Sequence, residues 1–220
     1  MIVAIDGPAG AGKSTVARMV AQELGFRFLD TGAMYRAIVY AALCQNIPLE
    51  APETLSDFAL RQKIRLDNDR VFLNDEEVTN SIRTPEIANA IHYVADNVQV
   101  RTCLSELQRQ FARTARNVVT EGRDQGTEVF PDAECKVFLT ASATERARRR
   151  QEELAARGEK LTLDEILEQQ NRRDERDRNR PVGRLRKAED AVEICTDRLS
   201  TIEVVRQIVD LVAERRTTSS

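Results

Sequence analysis

The sequence predicts an α/β fold: a doubly wound parallel sheet of five strands flanked by helices. Three observations predict it. Short runs of β-branched and small apolar residues recur along the chain, and each is followed by helical material. The first two strand–turn–helix units come one directly after the other, the mark of a βαβ arrangement. The apolar runs are continuous rather than alternating, as strands buried on both faces require.

The first strand is Ile2 to Ile5, and Asp6 leads into Gly7-Pro8-Ala9-Gly10-Ala11-Gly12-Lys13-Ser14-Thr15. Gly7 to Ser14 fit G-x-x-x-x-G-K-[ST] at every fixed position, with Gly10 as a third glycine. A loop that wraps phosphate must turn its backbone N–H groups inward, and glycines permit both the φ values and the close approach. The loop opens a helix with Val16, Val20 and Leu24 on one face, and a helix N-terminus favours the same anion. In this setting Lys13 is expected to reach the β/γ-phosphates of a nucleotide, and the Ser14 hydroxyl to hold Mg²⁺. The bland alternative is a chance glycine-rich turn, which the flanking strand and helix argue against.

Phe26 to Leu29 form the second strand, ending at Asp30-Thr31-Gly32, and a helix carrying Met34, Ile38 and Ala42 follows. Arg36 in its first turns is either a solvated helix charge or an anion contact beside the end of a core strand. Residues 64–82 change character. Ile64, Leu66, Val71 and Leu73 alternate around a turn at Asn68-Asp69-Arg70, and a second turn at Asn74-Asp75 precedes Val78. This pattern predicts a small antiparallel insert. Thr84-Pro85 supplies an N-cap and an N1 proline for the next helix. Leu104, Leu107 and Phe111 mark another helix, with Arg101 near its start.

Val118-Val119 lead a third strand into the charged turn Thr120-Glu121-Gly122-Arg123-Asp124. Lys136 to Leu139 and Val192 to Cys195 complete the sheet. Ile202, Val205, Ile208, Val209 and Val212 make a closing helix, and Thr217 to Ser220 read as a disordered tail.

Residues 141–187 hold twelve arginines, interleaved with acids such as Glu152, Glu153, Asp174, Glu175 and Asp177. Thr162 with Glu165 makes a capping box for an amphipathic helix starting at Leu163, Ile166 and Leu167. The apolar stripe then stops while the charge pattern continues to Arg180, putting Arg173, Asp177 and Arg180 on one face. Such a run is either a solvated, salt-bridge-laced helix or a cationic flap that closes over a phosphate-rich ligand. A nucleic-acid helix is disfavoured by the interleaved acids and the lack of stacking aromatics.

Composition narrows the function classes. A chain of 220 residues with net charge −3 gives no global reason to expect nucleic acid as a partner. No apolar run approaches a membrane span and the N-terminus goes straight into a strand, so a cytosolic location is expected. The four cysteines, at 44, 103, 135 and 195, form no C-x-x-C pair and are expected to be buried free thiols. His92 is the only histidine, which excludes histidine triads and multi-histidine metal sites. Phosphoryl transfer needs neither, since it works by positioning and charge neutralisation.

Four segments in this order resemble the bacterial cytidylate (CMP) kinases, of the P-loop nucleoside monophosphate kinase superfamily. They are Ile-Asp-Gly-Pro-Ala-Gly-Ala-Gly-Lys-Ser-Thr from Ile5, Leu-Asp-Thr-Gly-Ala-Met-Tyr-Arg from Leu29, Glu-Gly-Arg-Asp-Gln-Gly-Thr from Glu121 and Arg-Asp-Glu-Arg-Asp-Arg-Asn-Arg from Arg173. The resemblance implies a P-loop core of residues 1–30, 98–150 and 181–216. It also implies a monophosphate-binding insert of 31–97 containing the small sheet, and a helical lid of 151–180. The implied reaction is transfer of the ATP γ-phosphate to CMP or dCMP. Carried onto this sequence, Thr31, Tyr35 and Arg36 stand at the acceptor nucleotide; Arg36 and Arg123 bind its α-phosphate; Arg101, Asp124 and Arg180 read cytosine; Arg173 and Asp177 hold ribose or phosphate. Arg149, and with less support Arg146, match lid-side arginines near ATP. Lys13, Arg123, Asp124 and Arg173 make up the implied catalytic set.

Cytosine reading needs an acceptor for the exocyclic N4 amine and a donor for O2, which an aspartate and an arginine supply. Two departures stand out. His92 occupies a place where the family often has a base-contacting serine, and Glu121 stands where an aspartate is common, apart from the phosphate chemistry. Competing functions are a kinase for another small acceptor, a GTP-dependent switch and an ATP-driven mechanical protein. The nearest guanine-reading match, Asn171 to Asp174, follows no strand, and Val118 to Glu121 make a poor acidic-ended metal strand. The expected partners are therefore ATP and CMP or dCMP only, with the chain a monomer because no heptad seam stands out.

Overall fold

The parallel sheet is present, with β1 (Ile2–Asp6) at its centre. The computed structural model describes residues 1–67, 69–156 and 158–218. Around β1 stand β2 (Arg27–Asp30), then beyond the small sheet β6 (Val118–Gly122), β7 (Cys135–Thr140) and β8 (Val192–Cys195), in the order β2-β6-β1-β7-β8. Every pairing in this sheet is parallel. Side chains alternate between two separate cores. Val3, Ile5, Phe28 and Val119 face one, and Ala4, Leu29 and Val118 face the other. Both faces are covered, which is why the strands read as continuous apolar runs.

On the first face lie α1 (Lys13–Leu24) and the closing helix α8 (Thr201–Thr218), which pack on each other through Val16, Val20, Val204, Val205, Ile208 and Val212. The other face carries α2 (Thr31–Cys44) and α5 (Val98–Ala115). Between these two in sequence come α3 (Pro52–Ala59), an antiparallel sheet of β3 (Ile64–Asp67), β4 (Arg70–Leu73) and β5 (Glu76–Glu77), and α4 (Pro85–Ala95). The insert shares its core with the main sheet: Leu55, Phe58, Val71, Val78, Ile82 and Val94 join Ile38 and Leu104 in one cluster. Asp30 caps α2 and Asn97 caps α5 by accepting from the Ala33 and Val100 N–H groups. Asn97 also donates to the Pro52 carbonyl and so ties α3 to α5.

The arginine-rich segment forms two helices, α6 (Ala143–Ala155) and α7 (Leu163–Asn179). They share a small core of Ala147, Leu154 and Ile166, with Leu161, Leu163 and Leu167 packed against it. The predicted capping box at Thr162 and Glu165 is formed. Neither α3 nor the separate α6 is anticipated by the apolar pattern, since α6 is charged at most positions.

Three expectations need correction. The tail is helical through Thr218, because the stripe of α8 packs on the sheet and Arg216 lies 5.0 Å over the Phe26 ring. All four cysteines are free, but Cys135 alone is buried; Cys44 and Cys195 end a helix and a strand at the surface. Arg180 lies just past α7 at its C-cap, not on the helix. Asn68 of the predicted turn, Arg157 of the charged run and Ser219–Ser220 of the tail lie outside the described residues. No described helix is long and apolar enough to cross a membrane.

Candidate active site

β1 ends at Asp6 and the chain wraps from Gly7 to Gly12 into α1 at the C-terminal edge of the sheet. Gly7 has φ +149°, and a Cβ there would lie 2.1 Å from the Leu139 carbonyl oxygen of β7. No other residue fits. Lys13 folds back over the loop, buried, and its Nζ donates to the Pro8 carbonyl at 2.7 Å. Burial, then the Arg123 charge, push the Lys13 pKa down to about 7, against the opposing pull of Glu121. The Ser14 hydroxyl donates to Glu121 Oε1 at 2.8 Å. Glu121 therefore lies against the P-loop hydroxyl rather than apart from it. β6 is buried along its whole length and delivers this carboxylate beside the P-loop serine. Thr120 is buried within the strand, its hydroxyl donating to the Gln125 side-chain oxygen at 2.8 Å.

The turn after β6 is fixed from below. Asp6 accepts from the N–H groups of Gln125 and Gly126 at 2.9 and 2.7 Å. Residues 125–129 then form a π-helical turn, which no sequence signal announced. This turn aims Arg123 and Asp124 in different directions. Asp124 pairs with Arg101 of α5, both of them 5% exposed, and Arg101 also donates to the Ala95 carbonyl. Tyr35 of α2 lies against this pair with its ring 5.4 Å from the Arg101 guanidinium, and burial pushes its pKa up to about 12. Thr31 Oγ1 donates to the Glu121 carbonyl at 2.7 Å. Arg36 pairs with Asp30, 3.1 Å away.

Arg123 reaches α7 and pairs with Asp177 at 2.8 Å. Arg180 binds the other oxygen of Asp177 and also approaches Asp96 at 3.4 Å. Burial alone would raise the Asp177 pKa, but Arg123 and Arg180 outweigh it and hold the carboxyl below its ordinary value. Arg173 differs from Asp177 and Arg180, which are buried. Its surface reaches solvent, and among the described residues no carboxylate pairs with it. Protein atoms nonetheless crowd its guanidinium; desolvation, then Arg123, push its pKa down to about 10.

Other arginines of the run take two kinds of place. Arg148, Arg150 and Arg172 make surface pairs with Glu145, Glu152, Glu153 and Glu168, as a solvated helix would. Arg149 turns inward to Thr196 beside Gly12, and Arg146 is buried against the P-loop. A cleft of about 370 Å³ opens between Ser14 and Thr15 on one side and Thr84, Pro85 and Ala88 of α4 on the other. Arg18, Arg36, Arg83 and Arg150 line it, with Asp30 as its one acidic wall. Arg150 belongs to the charged run, but Arg83 escaped the sequence reading; it precedes a capped helix N-terminus, which was the available signal. His92 bonds the Asn89 carbonyl through Nδ1 and stacks on Tyr93.

Known proteins resemble this chain along nearly its whole length. The family model for cytidylate kinase matches residues 3–214. The cytidylate kinase of Rhodopirellula baltica is 52% identical over 214 residues, covering 97% of this chain and 93% of that protein. The cytidylate kinase of Bacillus subtilis is 46% identical over 217 residues, covering 97% and 96%. Among solved structures, an uncharacterized protein from Eubacterium ventriosum shares the fold with a TM-score of 0.55 at 14% identity, over 97% and 98% of the two chains. A P-loop, a cationic cluster facing it and relatives matched end to end lead to one assignment: the chain belongs to the cytidylate kinase family, and is a nucleoside monophosphate kinase.

Proposed function

We propose that the enzyme transfers the γ-phosphate of ATP to CMP and dCMP, giving the diphosphates, as a cytosolic monomer. The observation that carries this reading is the buried Arg101–Asp124 pair within reach of the same turn that sends Arg123 to the P-loop lysine's surroundings. Cytosine offers an N4 amine to a carboxylate and O2 and N3 to a guanidinium. Uracil would present its O4 to Asp124, oxygen against oxygen. Arg180, one step away through Asp177, completes the base-reading group, with Thr31 and Tyr35 walling the acceptor side.

The phosphate chemistry follows from charge. Lys13, Arg36, Arg123 and Arg173 converge between the P-loop and α7, where two polyanions would otherwise repel. In the present arrangement Asp30 and Asp177 neutralise two of these cations. The acceptor α-phosphate takes over Arg36 and Arg123, while Asp177 and Arg173 turn to the ribose or phosphate. Residues 31–97 and 151–180 act as acceptor-binding insert and lid on the core, and closing them excludes water and aligns donor with acceptor. Residues Gly7 to Thr15 hold the donor phosphates and Arg149 stands at the donor side.

Mg²⁺ is the metal that this family chemistry calls for, and the residues present fit it. The Ser14 hydroxyl and Glu121 carboxylate, hard oxygen donors in hydrogen-bond contact beside Lys13, would hold it directly or through water. When bound, it supplies charge neutralisation of the β- and γ-phosphate oxygens.

The test is ADP release from ATP and Mg²⁺ with CMP, dCMP, UMP, AMP and GMP in parallel. Turnover with CMP and dCMP well above the others is expected. Comparable UMP turnover would overturn cytosine selection by Asp124 and Arg101, and no turnover with any of them would overturn the acceptor assignment.

A further inference from the structure

Arg146 is the most buried arginine of α6. It is 5% exposed, and three parts of the chain meet on its guanidinium. Nη1 donates to the Ala9 carbonyl of the P-loop at 2.9 Å, and Nε donates to the Ala141 carbonyl just beyond β7. Nη1 also pairs with Asp174 Oδ2 of α7 at 2.8 Å, and Asp174 is itself 2% exposed. The second oxygen of Asp174 is buried without a hydrogen-bond partner among the described residues, so Arg146 is its one ion pair there. Gly10 keeps the arrangement tight: a Cβ at that position would lie 3.1 Å from Arg146 Cβ and 3.2 Å from Gln170 Nε2 of α7.

A peptide group is planar and trans, so its C=O and its N–H point in opposite directions. Holding the Ala9 carbonyl outward fixes the Gly10 N–H inward, toward the space the loop encloses. Lys13 holds the carbonyl of the preceding peptide, at Pro8. An anion cradle made of backbone N–H groups works only when these peptides are already oriented, since turning them at the moment of binding costs free energy.

We infer that Arg146 is a positioning residue, not a contact to the adenine ring: held by Asp174, it orients the Ala9–Gly10 peptide and so ties the phosphate cradle to the position of α7. The inference rests on the P-loop reading above. Its chemistry is specific, because a lysine at 146 could reach one of the three oxygens but could not span them as a planar guanidinium does.

Three variants test it: Arg146→Lys, Asp174→Asn and the two combined. Calorimetry with Mg²⁺ and inorganic tripolyphosphate, with a non-hydrolysable ATP analogue and with CMP is run beside thermal unfolding. Arg146→Lys is expected to weaken tripolyphosphate and the ATP analogue by the same factor, about tenfold for a lost charge-assisted hydrogen bond. CMP affinity and Tm are expected to hold, and the double variant to be no weaker than Arg146→Lys alone. Loss with the ATP analogue but not with tripolyphosphate would make Arg146 an adenine contact and overturn the inference. Equal loss for CMP with a lowered Tm would reduce Arg146 to scaffold, and multiplying losses in the double variant would break the link to α7. Wild type that binds the nucleotide but not tripolyphosphate would show that no cradle is preformed, against the inference. Wild type that binds neither would remove the P-loop reading itself.

Discussion

Lys13 carries a charge that its fold resists. Burial and the nearby Arg123 lower its pKa from 10.5 to about 7, so the folded, ligand-free protein holds it largely neutral above pH 7 while the unfolded chain keeps it charged up to 10.5. Between those values the unfolded state binds more protons, and stability contributed by this group rises with pH; the full cost of the buried charge is present below pH 7. Donor phosphates reverse the balance by adding negative charge beside Nζ. At pH 8.5, binding of a non-hydrolysable ATP analogue is expected to take up about one proton, read from the dependence of binding enthalpy on buffer ionisation enthalpy. Lys13→Met should abolish the uptake, and uptake unchanged in that variant would assign the proton elsewhere. Lys13 and Ser14 were legible from spacing alone. Glu121 was visible as a residue, but its partner Ser14 is 107 positions away in sequence, so its contact with the P-loop hydroxyl was not.

Among the elements, the short turn after α7 decides more than its length suggests. Gly183 has φ +65°, and a Cβ there would fall 1.7 Å from Arg101 Nη2. Its N–H donates to Glu128, and its carbonyl takes a long bond from Arg180. Gly183→Ala therefore costs on the order of 1 kcal/mol in backbone strain and displaces Arg101 from Asp124. The expected result is a KM for CMP raised severalfold more than the KM for ATP. Equal changes in both would show that the turn supports the fold without supporting base reading. The strands and two of the capped helices were legible because their signals are local: apolar runs, Thr84 with Pro85, and Thr162 with Glu165. The π-helical turn at 125–129 has no such signal, since the two N–H groups that anchor it bond to Asp6, which is remote in sequence.

For the molecule as a whole, the hairpin of α6 and α7 has only a small core of its own, and charged pairs join it to the rest. Asp177 meets Arg123 of the core, and Arg180 bridges Asp177 to Asp96 at the end of α4. Ligand phosphate competes for these arginines, so occupancy and hairpin position are coupled. Trypsin cleavage within residues 150–180 is expected to slow when a bisubstrate analogue is bound. Unchanged cleavage would mean that the hairpin holds its place regardless of ligand.

The sequence by itself determined the parallel sheet, the P-loop, the antiparallel insert and the residue types that could face an anionic acceptor, because period, caps and loop spacing are properties of neighbouring residues. Only the tertiary structure decided which arginines turn inward and which stay at the surface. Twelve stand in one charged run, and local pattern cannot separate Arg148, paired with glutamates at the surface, from Arg146, buried on the P-loop two residues earlier. That choice is made by carboxylates and carbonyls brought together from distant parts of the chain, and by the burial that makes each pairing matter.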